Sequence, residues 1–165
     1  MSLLQKKAMN KIKIEPALKH DRERIAMLFE SLQPQSTFFA NCGGYNSRRI
    51  ERWFDGKEEN MAVFLAKKDE SIAGVLFLWN LDNLPELGIA VADASQGCGI
   101  GTMLMKAAEQ FAAQAGLGAI FLSTHPANVH AQGLYRKMHY EYIGTSRSGE
   151  FLFLRRIPRK KQKTI

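Results

Sequence analysis

Between residues 96 and 101 the chain reads Gln96-Gly97-Cys98-Gly99-Ile100-Gly101, with three glycines at alternate positions. Glycine has no Cβ to hold a ligand off the main chain, and it reaches left-handed backbone conformations at little cost. Where such a loop leaves a strand and enters a helix, first-turn N–H groups and the positive end of the helix dipole face it. The chemistry expected of that arrangement is anion binding, with a phosphate or pyrophosphate as ligand. A glycine-rich tight turn with no ligand is the plainer alternative. Spacing removes two nucleotide readings. A triphosphate-binding loop needs Lys and then Ser or Thr directly after its last glycine, whereas Gly101 is followed by Thr102 and Met103, with no lysine before Lys106. A dinucleotide fingerprint places its third glycine three residues after the second and an acid about 20 residues further on. Here the glycines stand two apart, and the next apolar run closes on Ser123-Thr124-His125 with no carboxylate.

The flanking pattern supplies the strand and the helix that the loop requires. Leu87 to Val91 reads as a strand, residues 102 to 115 as a helix carrying Leu104, Ala108, Phe111 and Ala115 on one face, and Ala119 to Thr124 as another strand. Strand, helix, strand implies a parallel pair with a crossover. Before it, Lys11 to Glu15 alternates with period two, and Ile25, Leu28, Phe29 and Leu32 form a helical face behind Asp21, a candidate N-cap. Residues 33 to 46 read as a loop that holds Phe38, Phe39 and Tyr45, and aromatics in a loop need something to pack on. Ser47 opens a short helix with Ile50, Trp53 and Phe54 inward. Met61 to Ala66 and Ile72 to Trp79 read as an antiparallel hairpin. Asn128 starts a helix with Ala131, Leu134, Tyr135 and Met138 inward, and strands follow near 140–144 and 150–156. The expected class is α/β (α+β), a mixed sheet of about seven strands flanked by about four helices.

Composition bounds the rest. With 165 residues, 45% of them apolar and 24% charged, the chain has the length and make-up of one globular domain. Residues 1–10 and 158–165 read as flexible ends. The longest apolar run, Ile72 to Trp79, is eight residues against the ~20 that cross a bilayer. Cys42 and Cys98 are too few for a disulfide scaffold, and with no export signal they read as free thiols of a cytoplasmic protein. Of the +7 net charge, six positive charges lie between Arg155 and Lys163, so the basicity is mostly a tail. His125, His130 and His139 lack metal-site spacing, and no metal is expected.

Gln96, two residues, Gly99, one residue, Gly101 resembles the pyrophosphate signature of the GNAT superfamily of acyl-CoA-dependent N-acetyltransferases. Leu87-Gly88-Ile89-Ala90-Val91 is similar to that family's fourth strand, and Asn128 to Tyr140 to its later segment with Asn, Ala and Leu-Tyr. The resemblance implies a splay between strands four and five, and acetyl-CoA (coenzyme A) as co-substrate. Its pyrophosphate would lie on the main chain of Gln96, Gly97, Cys98, Gly99, Ile100, Gly101 and Thr102. Its pantetheine would lie along Ile89, Ala90 and Val91, with Asn128 bonding to it and Ala131 leaving room. Tyr135, at the Leu-Tyr position, is implied as the donor to the departing thiolate, against the plainer reading of a core residue. Glu86 stands where several members place a general base, with His125 as a second candidate.

The resemblance has departures. Cys98 stands where Arg or Lys is frequent, and His139-Tyr140 replaces the usual Gly-Phe, so His139 is expected to turn left-handed at the helix end. The acceptor side would draw on Phe38, Phe39, Tyr45 and Trp79, with Trp53 and Glu150 nearby, although these aromatics equally close a core. The implied reaction is acetyl transfer to a primary amine of a small molecule or peptide. Two rivals stand beside it, a catalytically inactive CoA-binding sensor and a basic nucleic-acid-binding module. The second is opposed by basic residues that are nowhere interleaved with aromatics. Family members often dimerise through their C-terminal strands, so a homodimer belongs to the expectations, and a membrane partner does not.

Overall fold

A computed structural model describes residues 12–42 and 47–158. Tyr45 and the chain ends beyond these limits therefore lie outside the described residues. Seven strands form one sheet: β1 (Ile12–Pro16), β2 (Met61–Lys68), β3 (Ser71–Trp79), β4 (Glu86–Val91), β5 (Ala119–Thr124), β6 (Glu141–Thr145) and β7 (Phe151–Arg156). Their order across the sheet is β1-β2-β3-β4-β5-β7-β6, with every pairing antiparallel except β4 with β5. Five α-helices are found among the described residues: α1 (Arg22–Glu30), α2 (Pro34–Cys42), α3 (Ser47–Phe54), α4 (Ile100–Gln114) and α5 (Val129–Lys137).

β3 reads as an unbroken apolar run because both of its faces are covered. Leu76 and Leu78 point to the core shared with Leu104, Met105 and Ala108 of α4. Val75, Phe77 and Trp79 point to the opposite core, with Ile25 and Leu28 of α1 and Ile50 and Phe54 of α3. Alternation across the strand thus makes two cores from one segment. β2 repeats the device, with Phe64 and Ala66 on one side and Val63 and Leu65 on the other.

Three readings of the sequence are corrected. Residues 34–42 are helix α2, not loop, which raises the number of helices from about four to five. Pro34 takes the first helical position, where its missing N–H is not needed. Helix α4 begins at Ile100, not near Thr102, because Gly99 at φ 81° already serves as its N-cap. Asp21 precedes α1 but makes no side-chain cap bond. Its carboxylate turns inward and accepts from the Leu18 N–H at 2.9 Å.

His139 is left-handed, with φ 62°. It closes α5 by donating its N–H to the Arg136 carbonyl at 2.9 Å, while the Tyr140 N–H reaches the Tyr135 carbonyl at 2.9 Å. A side chain in this conformation costs about 1–2 kcal/mol, partly offset by the freedom glycine loses on folding. His139→Gly should therefore raise the thermal midpoint by about 1–4 °C in a melting experiment. An unchanged or lower midpoint would show that the turn carries no strain.

Candidate active site

β4 and β5 share one bridging pair, Glu86 with Phe121, whereas β3 holds β4 through six. Beyond Glu86 the two strands make no further pairs, so on the β5 side Ile89, Ala90 and Val91 have no strand beside them, although the Val91 carbonyl accepts from Gln96 Nε2 at 3.2 Å. Buried backbone groups left this way need partners. A cavity of about 560 Å³ opens there, within the usual size for a small-molecule site. Its wall includes Ile89, Ala90, Val91, Gln96, Gly97, Gly99, Ile100, Gly101, Thr102, Asn128, Ala131 and Tyr135.

The glycine loop meets the cavity as an uncapped helix end. Gly97 has φ 72° and Gly99 has φ 81°, and Gly99, the N-cap of α4, makes no side-chain cap bond. The first helical bond runs from the Met103 N–H to the Gly99 carbonyl at 3.1 Å, so the amides before it have no intrahelical partner. Space beside Gly97 is open, with nothing within 4 Å of where a Cβ would stand. Gly101 has a different purpose from the one expected. Its Cβ would lie 2.8 Å from Leu134 Cδ2, so the missing side chain admits α5 against α4 and does more than clear a ligand. Gly97→Ala should lower stability by about 1–2 kcal/mol, the cost of a side chain on left-handed backbone, with open space around the new methyl. An unchanged thermal midpoint would show that the loop relaxes out of that conformation at no cost.

Cys98 is half-buried and outside the cavity wall. Two basic side chains that do face the cavity, the His130 imidazole and the Lys137 ammonium, come from α5. They stand seven residues apart on one helical face, a spacing visible in the sequence but not singled out. Thr124, Gln35, Ser36 and Ala40 also line the wall and were missed. Asn128 caps α5, its Oδ1 accepting the Ala131 N–H at 3.2 Å, which leaves its amide donors unspent on the cap.

Tyr135 is 5% exposed, packed on Phe153 and Tyr140, and lines the cavity. Burial pushes its phenol above the ordinary value, so it stays protonated through the neutral range. Other candidates fall elsewhere. Glu86 opens β4 three residues before the wall begins and is not part of it. His125 accepts the Ala127 N–H on Nδ1 at 3.1 Å and is not part of the cavity wall. Its ring stands against Phe38 and Phe39, with centroids 5.1 and 6.1 Å away, which is what those aromatics pack on.

Phe39 lines the cavity, while Phe38 is 48% exposed and outside its wall. Trp79 is corrected from acceptor wall to core: it is 2% exposed and stacks on Phe77, because its place on β3 points it at α1 and α3. Trp53 joins that same core against Phe54. Glu150 accepts the Ser148 hydroxyl at 3.0 Å in the β6–β7 turn, away from the cavity wall.

Comparison with known proteins agrees with this fold. The GNAT domain of PAT from S. lividans superposes with a TM-score of 0.78 at 15% identity, over 88% of this chain and 90% of that one. Spermidine N-acetyltransferase from Vibrio cholerae, in complex with CoA and spermine, gives 0.74 at 15% identity, over 90% and 96%. The ribosomal-protein-S18-alanine N-acetyltransferase from Escherichia coli gives 0.70 at 13% identity, over 93% and 99%. At these identities the likeness is one of fold. The sequence model of the Acetyltransferase (GNAT) family matches residues 25–140. With the splayed strands, the glycine loop and the family match all falling on one stretch of chain, this protein belongs to the GNAT acetyltransferase family.

Proposed function

We propose that the protein transfers an acetyl group from acetyl-CoA to a primary amine of a small molecule or peptide, by direct attack in a ternary complex. The observation that carries this reading is one cavity uniting an open strand edge, an uncapped glycine-loop helix end and a buried phenol. The residues present fit the co-substrate: the loop has free amides and open space at Gly97, and the opposite wall carries Lys137 and the His130 imidazole. Acetyl-CoA, when bound, supplies an acyl carbon activated as a thioester.

The main-chain amides from Gly97 to Thr102 hold the diphosphate, helped by the α4 dipole and by His130 and Lys137. The bare edge of β4 at Ile89, Ala90 and Val91 takes the pantetheine as a strand takes its neighbour. One of its N–H groups stabilises charge developing on the carbonyl oxygen. Asn128 offers its amide donors to the same arm, and Ala131 leaves space for it. Tyr135 donates a hydrogen bond to the departing sulfur. A thiol ordinarily titrates near 8.5, below a buried phenol, so Tyr135 acts mainly as a donor and the proton given up by the amine completes the thiol.

Glu86 lies roughly 10 Å along the strand from Ile89 at ~3.3 Å per residue. A base role for it would be exercised through water. Thr124, Ser36 and Phe39 form the acceptor end in this reading.

The test is free-thiol release from acetyl-CoA with polyamines, aminoglycosides, amino acids and N-terminal peptides, beside calorimetric binding of acetyl-CoA. Amine-dependent thiol release is the expected result. No binding and no turnover would overturn the proposal, and binding without turnover would favour a CoA sensor.

A further inference from the structure

Asp93 lies in the short 3-10 turn Asp93–Ser95, between β4 and the glycine loop. Its carboxylate is the meeting point of two segments 60 residues apart. The Gln33 N–H donates to Oδ2 at 2.8 Å, and the Ser36 hydroxyl donates to Oδ1 at 2.5 Å. Gln96 Nε2 approaches the same Oδ1 and Ser36 Oγ at 3.4 Å each, and donates to the Val91 carbonyl at 3.2 Å. Gln96, which opens the glycine motif, is thereby a clip for its own loop.

These bonds fall at the N-terminus of helix α2. Gln33 precedes its first residue and is not among the side chains that cap a helix well. Asp93 delivers the missing anion to that N-terminus, where the dipole favours it. The Ser36 hydroxyl and the Gln33 amide also hold Asp93 below the usual carboxylate range, so it is charged at neutral pH. The rest of α2 is lightly anchored, with Phe38 half exposed and its ring against His125. Yet α2 gives the cavity Gln35, Ser36, Phe39 and Ala40, while the loop gives Gln96, Gly97 and Gly99.

We propose that Asp93 is a positioning residue that locks α2 to the diphosphate loop, so that filling the loop orders the acceptor-side wall and loosening α2 weakens the loop's grip. This rests on the activity proposed above. Coupling of this kind is reciprocal: what CoA does to α2, α2 does to CoA affinity.

The experiment is amide hydrogen exchange on the full chain, with and without saturating CoA, for wild type, Asp93→Ala, Asp93→Asn and Ser36→Ala. Calorimetric CoA affinity is measured for each. Without CoA, Asp93→Ala should speed exchange in α2 by roughly tenfold and leave α4 unchanged, as expected for lost bonds to a charged group. CoA should slow α2 exchange in wild type but not in Asp93→Ala, whose CoA affinity should fall severalfold. Asp93→Asn should be intermediate, because it keeps one acceptor and loses the charge.

Equal CoA-induced protection of α2 in wild type and Asp93→Ala overturns the inference. So does faster exchange throughout the Asp93→Ala protein, which marks a merely structural residue. Ser36→Ala carries the same measurement should Asp93→Ala fail to fold. Wild-type protein that binds no CoA removes the proposed activity and the coupling with it, while the unliganded comparison still judges the clasp itself.

Discussion

Tyr135→Phe should lower kcat for acetyl transfer about 100-fold and leave the dissociation constant of acetyl-CoA within about twofold. In the proposed reaction the ring supplies the packing and the hydroxyl the hydrogen bond to sulfur, and the substitution separates them. Phe keeps the contacts with Phe153 and Tyr140, so the cavity wall should stand. What disappears is a donor that burial keeps protonated. Loss confined to kcat is the sign of an interaction made chiefly in the transition state. An unchanged kcat would reduce Tyr135 to core packing, and a matched rise in KM would mean that the hydroxyl holds the ground state.

Asp21→Ala should cost about 3 kcal/mol of stability, the range for breaking a buried ion pair. For a chain of this length that is a fall of about 6–12 °C in thermal midpoint. Asp21 is 0% exposed, with Lys67 Nζ 3.1 Å from its Oδ1. Removing it leaves Lys67 largely enclosed, with Glu15 at 3.5 Å as its remaining carboxylate. Burial alone would raise the Asp21 pKa, but the Leu18 N–H and Lys67 outweigh it and hold the carboxyl below its ordinary value. The group therefore contributes stability that is complete above its unfolded value of about 4 and is lost as pH falls through the lower folded value. Wild type should lose stability below about pH 4, and Asp21→Ala should show a shallower slope there in denaturant titrations. Equal slopes would show that the pair does not couple protonation to folding.

Much of the site was legible because its signals are local. The side-chain-free loop at Gly97 and Gly99 follows from the residue types, the helix after them from apolar spacing, and the left-handed His139 from the absence of glycine at a helix end. Helix α2 was not legible. Its apolar residues are consecutive, with no helical period, and what stabilises it, Asp93 at one end and His125 along one side, is distant in sequence. Trp79 was misplaced for a related reason. An apolar run buried on both faces does not reveal which side each residue takes, and only register decided that it faces α1 and α3.

Strand, glycine turn and helix, and the period-two and 3.6-residue patterns, were determined by the sequence alone, because each depends on neighbours within a few residues. Tertiary structure alone decided which carboxylates are structural, which aromatics see the cavity, and that Gly101 serves packing against Leu134. Those outcomes depend on pairs of groups far apart along the chain, and their distances exist only once the two cores have closed around the sheet.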